Sequence, residues 1–424
     1  MPVQSSPEEI PLTVRFRGLK ERLLQRVYFS SISSNHLLPE KGELAMRKTL
    51  ASLASLVVLF IILAFGPNWI VGQDLTLVEK ITIDPVAEIK TDLAKIPQSF
   101  CVTDDEIFVI PDHNSGTLKI LGRSGDFLKF IEEFGRDRFG PKKQKKFSLP
   151  MYCLYNQNEG KLGIIDYGVK RIFLFERIGM IGLKLVNDFE CQRLGYDIKL
   201  AGDNERFYDT QIVISGYLTD TENNPFDLYS RNVRTGKINY LLPSHEKYNL
   251  ETNEDFEIAY DNHRLPATGI RAFIDIQGDD VFFVWEGSLR IIKINLRSKE
   301  KTTFGVETSY YTKPDGFELA ENHKKGDKKG TWEKQKKMSY IRNIFATSRH
   351  VFLVYETGKN EKSKNGSTYR LQTYTPDGDF LGDVAIPGSP LRQMWLTKES
   401  YELYAFSKES GGLSVLKYKI KINR

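Results

Sequence analysis

The sequence predicts an all-β fold, a six-bladed β-propeller preceded by one N-terminal transmembrane or signal helix. Three observations carry that prediction. Six short apolar segments recur at spacings of 49 to 70 residues. Further β-rich strands and glycine-bearing turns follow them. One uncharged apolar run, residues 49–72, stands ahead of them all.

The apolar run opens with 17 uncharged residues from Thr49 to Phe65 and stays uncharged through Gly72. Its length matches the roughly 20 residues of a bilayer span, and Trp69 sits where an interfacial aromatic belongs. The flanks orient it. Residues 1–48 carry eight Lys and Arg, whereas residues 73–92 carry only Lys80 and Lys90. The basic side stays in the cytoplasm, so residues 73–424 are expected outside it, in the periplasm or at the cell surface. Met46-Arg47-Lys48 directly before the run also resembles the start of a secretory signal, with residues 1–45 then lying upstream of the true start. No Ala-x-Ala site ends the run and Pro67 follows its small residues, which favours an uncleaved anchor; cleavage would make the protein secreted.

Composition fits the exported part. A chain of 424 residues exceeds what one hydrophobic core usually serves, so repeats or several domains are needed. Aromatic residues make up 12%, with 26 Phe and 20 Tyr beside 32 Gly, which suits short strands and tight turns. A net charge of +5 spread over 60 basic and 55 acidic residues points to no nucleic-acid partner. Three cysteines are too few for a disulfide framework or a thiolate metal cluster. Cys101 and Cys153 hold similar positions in successive repeats, so they are the pair that could bridge; buried thiols are the alternative.

The six strand cores are Ile107–Ile110, Leu162–Ile165, Gln211–Ile214, Val281–Val284, Val351–Val354 and Tyr401–Phe406. Later strands include Thr117–Leu121, Arg171–Phe175, Leu289–Ile294 and Tyr369–Tyr374. Turns recur as Arg123-Ser-Gly-Asp-Phe127, Arg234-Thr-Gly-Lys-Ile238 and Pro376-Asp-Gly-Asp-Phe380, with glycine supplying positive φ. Propeller blades typically repeat every 40–45 residues, so the wider spacing implies inserted loops, placed at 219–226, 244–268, 306–337 and 358–367. Continuous helical periodicity is absent from residue 73 onward. The last blade is short of strands, and Leu77–Ile83 can complete it and close the ring.

The pattern resembles the six-bladed NHL-type propellers and their bacterial relatives. The strand and turn from Leu118 to Phe127 end in Gly-x-Phe, and Gly135-Arg-Asp-Arg-Phe-Gly140 with Phe147-Ser-Leu-Pro150 is similar to the link between blades. Lys142-Lys-Gln-Lys-Lys146 departs from the small residues of that link. The resemblance implies the fold and leaves function open, because propellers both bind and catalyse.

One aligned feature is chemical. Ile270-Arg-Ala-Phe273, Ile341-Arg-Asn-Ile344 and Leu391-Arg-Gln-Met394 each open the first strand of a blade. First strands line the channel, so Arg271, Arg342 and Arg392 are expected at one mouth, where guanidiniums suit a carboxylate or phosphate. The competing reading pairs each arginine with an acid of a neighbouring blade. Lysine-rich stretches at 142–146 and 321–337 read as solvated loops, with anionic lipid or an acidic polymer as alternative contacts. The six histidines show no metal spacing, and no nucleophile elbow or phosphate loop is present. Gluconolactonase-type propellers place Glu, Asn and Asp on a central metal; Asn343 and Asp275 are the nearest positions here, without a third. The expectation is a membrane-anchored, non-catalytic propeller without cofactor that binds an anionic ligand or a protein at its mouth. A metal-dependent hydrolase or lyase, or an envelope scaffold, is the alternative.

Overall fold

A computed structural model describes residues 73–422 with interruptions, the longest over 244–271; residues 1–72 lie outside the described residues. The described chain is a six-bladed β-propeller, each blade an antiparallel sheet of four strands. From the channel outward, blade one is Cys101–Val102, Phe108–Asp112, Thr117–Leu121 and Phe127–Ile131. Blade two is Pro150–Asn156, Lys161–Asp166, Arg171–Ile178 and Gly182–Glu190. Blade three is Asp197–Ala201, Gln211–Thr219, Pro225–Asn232 and Ile238–Pro243. Blade four is Ala272–Gln277, Asp280–Trp285, Ile291–Asn295 and Lys301–Phe304. Blade five is Tyr340–Ala346, Val351–Glu356, Tyr369–Tyr374 and Phe380–Ala385.

Blade six shows how the ring closes. Its three inner strands, Pro390–Thr397, Glu402–Glu409 and Gly412–Ile422, come from the end of the chain. Its outermost strand is Gln73–Thr82, which runs antiparallel to Gly412–Ile422 from Gln73 opposite Ile422 to Thr82 opposite Ser414. The stray strand expected at Leu77–Ile83 therefore does complete the last blade. The innermost strands of successive blades touch all the way round, and blade six meets blade one.

The blade cores were legible because each second strand is covered on both faces. In blade four, Val281, Phe283 and Trp285 pack toward blade three, while Phe282 and Val284 pack toward blade five. In blade one, Val109 faces blade two, while Phe108 and Ile110 face blade six. Alternate side chains go to alternate neighbours, so the strand reads as an unbroken apolar run instead of a period of two. One such cluster lies between every pair of adjacent blades. The turn glycines also behave as their chemistry requires: Gly125, Gly236 and Gly378 have φ of 86°, 69° and 101°. At Gly125 a Cβ would stand 2.3 Å from the Thr82 carbonyl oxygen, so this turn also needs glycine to pack against the closing strand.

Two expectations are modified, and of the two readings of the cysteines the structure has the buried thiols. Cys101 and Cys153 are both buried between blades one and two, and no disulfide joins them. The Cys153 thiol donates to the Val109 carbonyl at 3.5 Å, and its backbone N–H donates to the Ser99 hydroxyl at 2.8 Å. Hydrogen bonding and packing satisfy this sulfur without a bridge; Cys191 lies outside the described residues. A short helix, Lys328–Gln335, stands where only loop was expected. Asp327 caps it, accepting from the Gly330 N–H at 2.7 Å, and Thr331 is its one buried residue, so no apolar stripe announces it. The insertion expected at 219–226 is only the connection between Thr219 and Pro225. Among the described residues no helix is long and apolar enough to cross a membrane, and residues 49–72 fall outside them.

Candidate functional site at the channel mouth

Strand direction sorts the connections. In each sheet the inner strand runs away from one end of the propeller, here called the mouth, and the following strand returns to it. The connections leaving Thr219, Pro243, Phe304 and Glu356 therefore all start at the mouth, and they contain the four predicted insertions. The opposite end, the base, carries short turns such as Gly278-Asp279 in blade four.

Arg342, third residue of the blade-five inner strand, lies at this mouth. Its Nε donates to Glu356 Oε2 at 2.8 Å and its Nη1 to Glu286 Oε1 at 2.8 Å. Its Nη2 lies 2.7 Å from Glu356 Oε2, and the guanidinium covers the Tyr340 ring at 5.1 Å. Burial works against its charge, yet the two carboxylates outweigh burial and hold the guanidinium above its ordinary value. Burial also raises the Tyr340 and Tyr369 phenols, with Glu286 adding to the first and Glu356 to the second. Both remain neutral hydrogen-bonding groups at physiological pH. Arg342 thus answers to acids of its own and a neighbouring blade, the competing reading of the sequence.

Arg392 differs. It is exposed, and its Nη2 donates to the neutral amide oxygen Gln98 Oε1 at 2.8 Å, joining blade six to the chain entering blade one. It acts on the Tyr369 phenol together with Arg342, which places both arginines in one electrostatic neighbourhood. Arg271 lies outside the described residues. Sequence reasoning missed Glu286, Glu356, Tyr369 and Gln98. Their only signal is position, for Glu286 and Glu356 sit where a second strand reaches the mouth.

The weak metal positions have other uses. Asp275 Oδ2 accepts from the Ala346 N–H at 2.7 Å and meets Lys398 Nζ at 3.0 Å, and Lys398 also donates to the Ile276 carbonyl at 2.7 Å. That arrangement pins blades four, five and six together at the base. Asn343 Nδ2 donates to the Met394 carbonyl at 3.3 Å, tying blade five to blade six. No group of three or more metal-ligating side chains occurs among the described residues.

The pairing at Arg342 makes a prediction. Arg342→Ala is expected to cost about 3–5 kcal/mol of unfolding free energy, because it strands Glu286 in a buried position. Arg392→Ala, at an exposed position, is expected to stay within about 0.5 kcal/mol. Urea denaturation of the two variants distinguishes them; equal losses would refute the different roles.

No protein-family model matches this chain. No curated protein sequence matches it either. Among solved structures, a DUF4221-family protein of Bacteroides vulgatus superposes with a TM-score of 0.53 at 10% identity, over 82% of this chain and 99% of that one. A Bacteroides fragilis protein described as exported superposes with a TM-score of 0.48 at 12% identity, over 83% and 96% of the two chains. At such identity the first likeness speaks for the fold alone, and the fold this chain has is the six-bladed propeller.

Proposed function

We propose that the protein is a membrane-anchored, extracytoplasmic binding module that engages an anionic ligand, or an acidic site on a protein, at the propeller mouth. The observation that carries this reading is the contrast between the two arginines. Arg342 is spent on Glu286 and Glu356, whereas Arg392 offers an exposed guanidinium whose hydrogen bond goes to a neutral amide. Exchanging an amide oxygen for a carboxylate or phosphate gains a charge-assisted bond. Tyr369 beside it supplies a neutral phenol that discriminates by hydrogen bonding. Export and anchoring rest on the apolar run 49–72 and its basic cytoplasmic flank. The NHL-type features of blades one, two and five agree with a binding role without specifying one.

The test is a binding panel on the full chain in detergent, using oligoglutamate, a polyuronate and inorganic polyphosphate. At least one probe is expected to bind, and Arg392→Ala should weaken it about 10- to 100-fold, the worth of one charged hydrogen bond at ~1.5–3 kcal/mol. Binding that is absent for all probes, or unchanged in the variant, would defeat the proposal.

A further inference from the structure

The connection between Phe304 and Tyr340 presents two large aromatic rings to solvent. Trp332, in the helix Lys328–Gln335, is 59% exposed, and Tyr310, earlier in the same connection, is 54% exposed. A single exposed apolar residue needs no explanation, but aromatic rings grouped on one anchored segment mark a place where another molecule docks.

Both rings are held at the mouth. The Ser339 N–H donates to the Thr312 carbonyl at 2.8 Å and the Thr312 N–H to the Ser339 hydroxyl at 2.9 Å, which stitches the segment after Tyr310 to the segment after the helix. The Tyr340 hydroxyl donates to the Gln335 carbonyl at 3.1 Å, fixing the end of the helix to the first residue of the blade-five inner strand. This is the same phenol ring that Arg342 covers. The Arg370 guanidinium lies 3.5 Å from the centre of the Tyr310 ring, so the exposure of that ring falls on the rest of its surface.

The helix surrounds its aromatic ring with cations. Lys328 and Lys336 stand four residues before and after Trp332, and Lys329 three before it, the spacings that share one helix face. Lys336 Nζ is 5.2 Å from the centre of the indole. Residues 325–337 hold six lysines against only Asp327 and Glu333. Both acids are engaged locally, Asp327 in the cap and Glu333 with Lys336 at 2.8 Å. The Lys336 hydrogen bond and charge, with Lys329 and Lys337 adding theirs, hold the Glu333 carboxyl below its ordinary value, as a positive surface requires.

We propose that this arm of the mouth binds a polymer of acidic sugars, with Trp332 stacking on a sugar ring while Lys328 and Lys329 meet its carboxylates. The C–H groups on one face of a sugar ring match the electron-rich face of an indole, and carboxylates accept charge-assisted hydrogen bonds from lysine. Two exposed rings on one stitched segment suit a chain of sugars better than a single one. A bilayer fits less well, because an interfacial helix buries a whole apolar face and Trp332 is the one large apolar residue of this helix. An acidic peptide would engage the lysines and leave the indole unused. The arm is separate from Arg392, so the inference goes beyond the reading of that arginine and stands without it.

The test measures binding of polygalacturonate to the full chain in detergent, with oligoglutamate and neutral dextran alongside. Polygalacturonate is expected to bind, to shield Trp332 from acrylamide quenching, and to bind about 10- to 30-fold more weakly to Trp332→Ala, the cost of truncating an aromatic anchor. Dextran should not bind. Oligoglutamate affinity should be the same in Trp332→Ala, whereas Lys328→Gln with Lys329→Gln should weaken both anionic polymers. Trp332 is exposed, so its variant should unfold at the same urea concentration as the wild type. No binding of polygalacturonate, unchanged affinity in Trp332→Ala, or an equal loss for oligoglutamate would each overturn the inference. Arg392→Ala separates the two readings: a loss there with Trp332→Ala unaffected defeats this inference alone, and the reverse defeats only the reading of Arg392.

Discussion

Lys417→Ala is expected to lose about 3–5 kcal/mol of stability, a large part of the 5–15 kcal/mol typical of a folded domain. Lys417 is buried at the seam where the last blade meets the first. Its Nζ lies 3.2 Å from Glu106 of blade one and 3.2 Å from Glu402 of blade six, and 5.4 Å from the centre of the Tyr404 ring. Removing the cation leaves two carboxylates facing one another without their shared partner. The triple variant Lys417→Met, Glu106→Gln, Glu402→Gln should regain most of the loss, because replacing a whole buried ion cluster is far milder than breaking it. Chemical denaturation of the wild type, the single and the triple variant checks this; a triple variant weaker than the single one would contradict it.

The same cluster sets a pH dependence of stability. Burial opposes the Lys417 charge, but Tyr404, Glu106 and Glu402 outweigh it and raise its pKa. A raised lysine contributes stability that is fully present below its ordinary pKa and is lost as pH rises through the folded value. Burial would raise Glu402, but the hydrogen bond and charge of Lys417 lower it. A lowered carboxylate contributes stability present above its ordinary value and lost as pH falls through the folded one. Burial also pushes Tyr404 up to about 12, so that phenol too favours the folded state less as pH climbs above 10. The seam is therefore most secure between mildly acidic and mildly alkaline pH. In Lys417→Ala the acid-side dependence at Glu402 should flatten.

Asp383→Ala should cost a comparable ~3–5 kcal/mol and, in addition, release the connection between blades four and five. The carboxylate is a shared acceptor in blade five. Oδ1 accepts from Arg370 Nε at 2.7 Å, while Oδ2 accepts from the Tyr355 hydroxyl at 2.6 Å and the Thr308 hydroxyl at 2.8 Å. Thr308 belongs to the connection leaving Phe304, which Gln372 Nε2 holds through the Val306 carbonyl at 3.1 Å and Tyr374 through the Val306 N–H at 3.2 Å. The Arg370 guanidinium also covers the Tyr310 ring at 3.5 Å. Alanine removes the charge that neutralises a nearly buried Arg370 and the acceptor of a buried phenol, each of which is costly to leave unmet. Chymotrypsin should then cut after Tyr310, whose ring Arg370 covers, well before the blades unfold, whereas the wild type resists. Unchanged cleavage after Tyr310 would show that the rest of the network holds the connection alone.

Much of the fold was written in local pattern. Ile107–Ile110 and Val281–Val284 read as strands because neighbouring blades bury both their faces, a condition that leaves an apolar run in the chain itself. Gly125, Gly236 and Gly378 marked turns because positive φ excludes most other residues. The incomplete last blade and the surplus strand near residue 77 together implied closure. The helix Lys328–Gln335 escaped because a solvated helix needs no apolar stripe.

The site divides differently. Sequence alone established that Arg342 and Arg392 hold equivalent places near the start of inner strands, since strand periodicity places them there. It did not distinguish them, for the distinction lies in partners remote along the chain. Glu286 lies 56 residues before Arg342, and Gln98 lies 294 residues before Arg392. Only tertiary packing decides whether a guanidinium meets a carboxylate or an amide, because ring closure brings together strand ends that local pattern leaves independent. The same holds for the seam, where Lys417 and Glu106 meet across 311 residues. The chain's own pattern thus determined a propeller behind an apolar segment, and the closed ring decided which charges are consumed in holding it and which one faces outward.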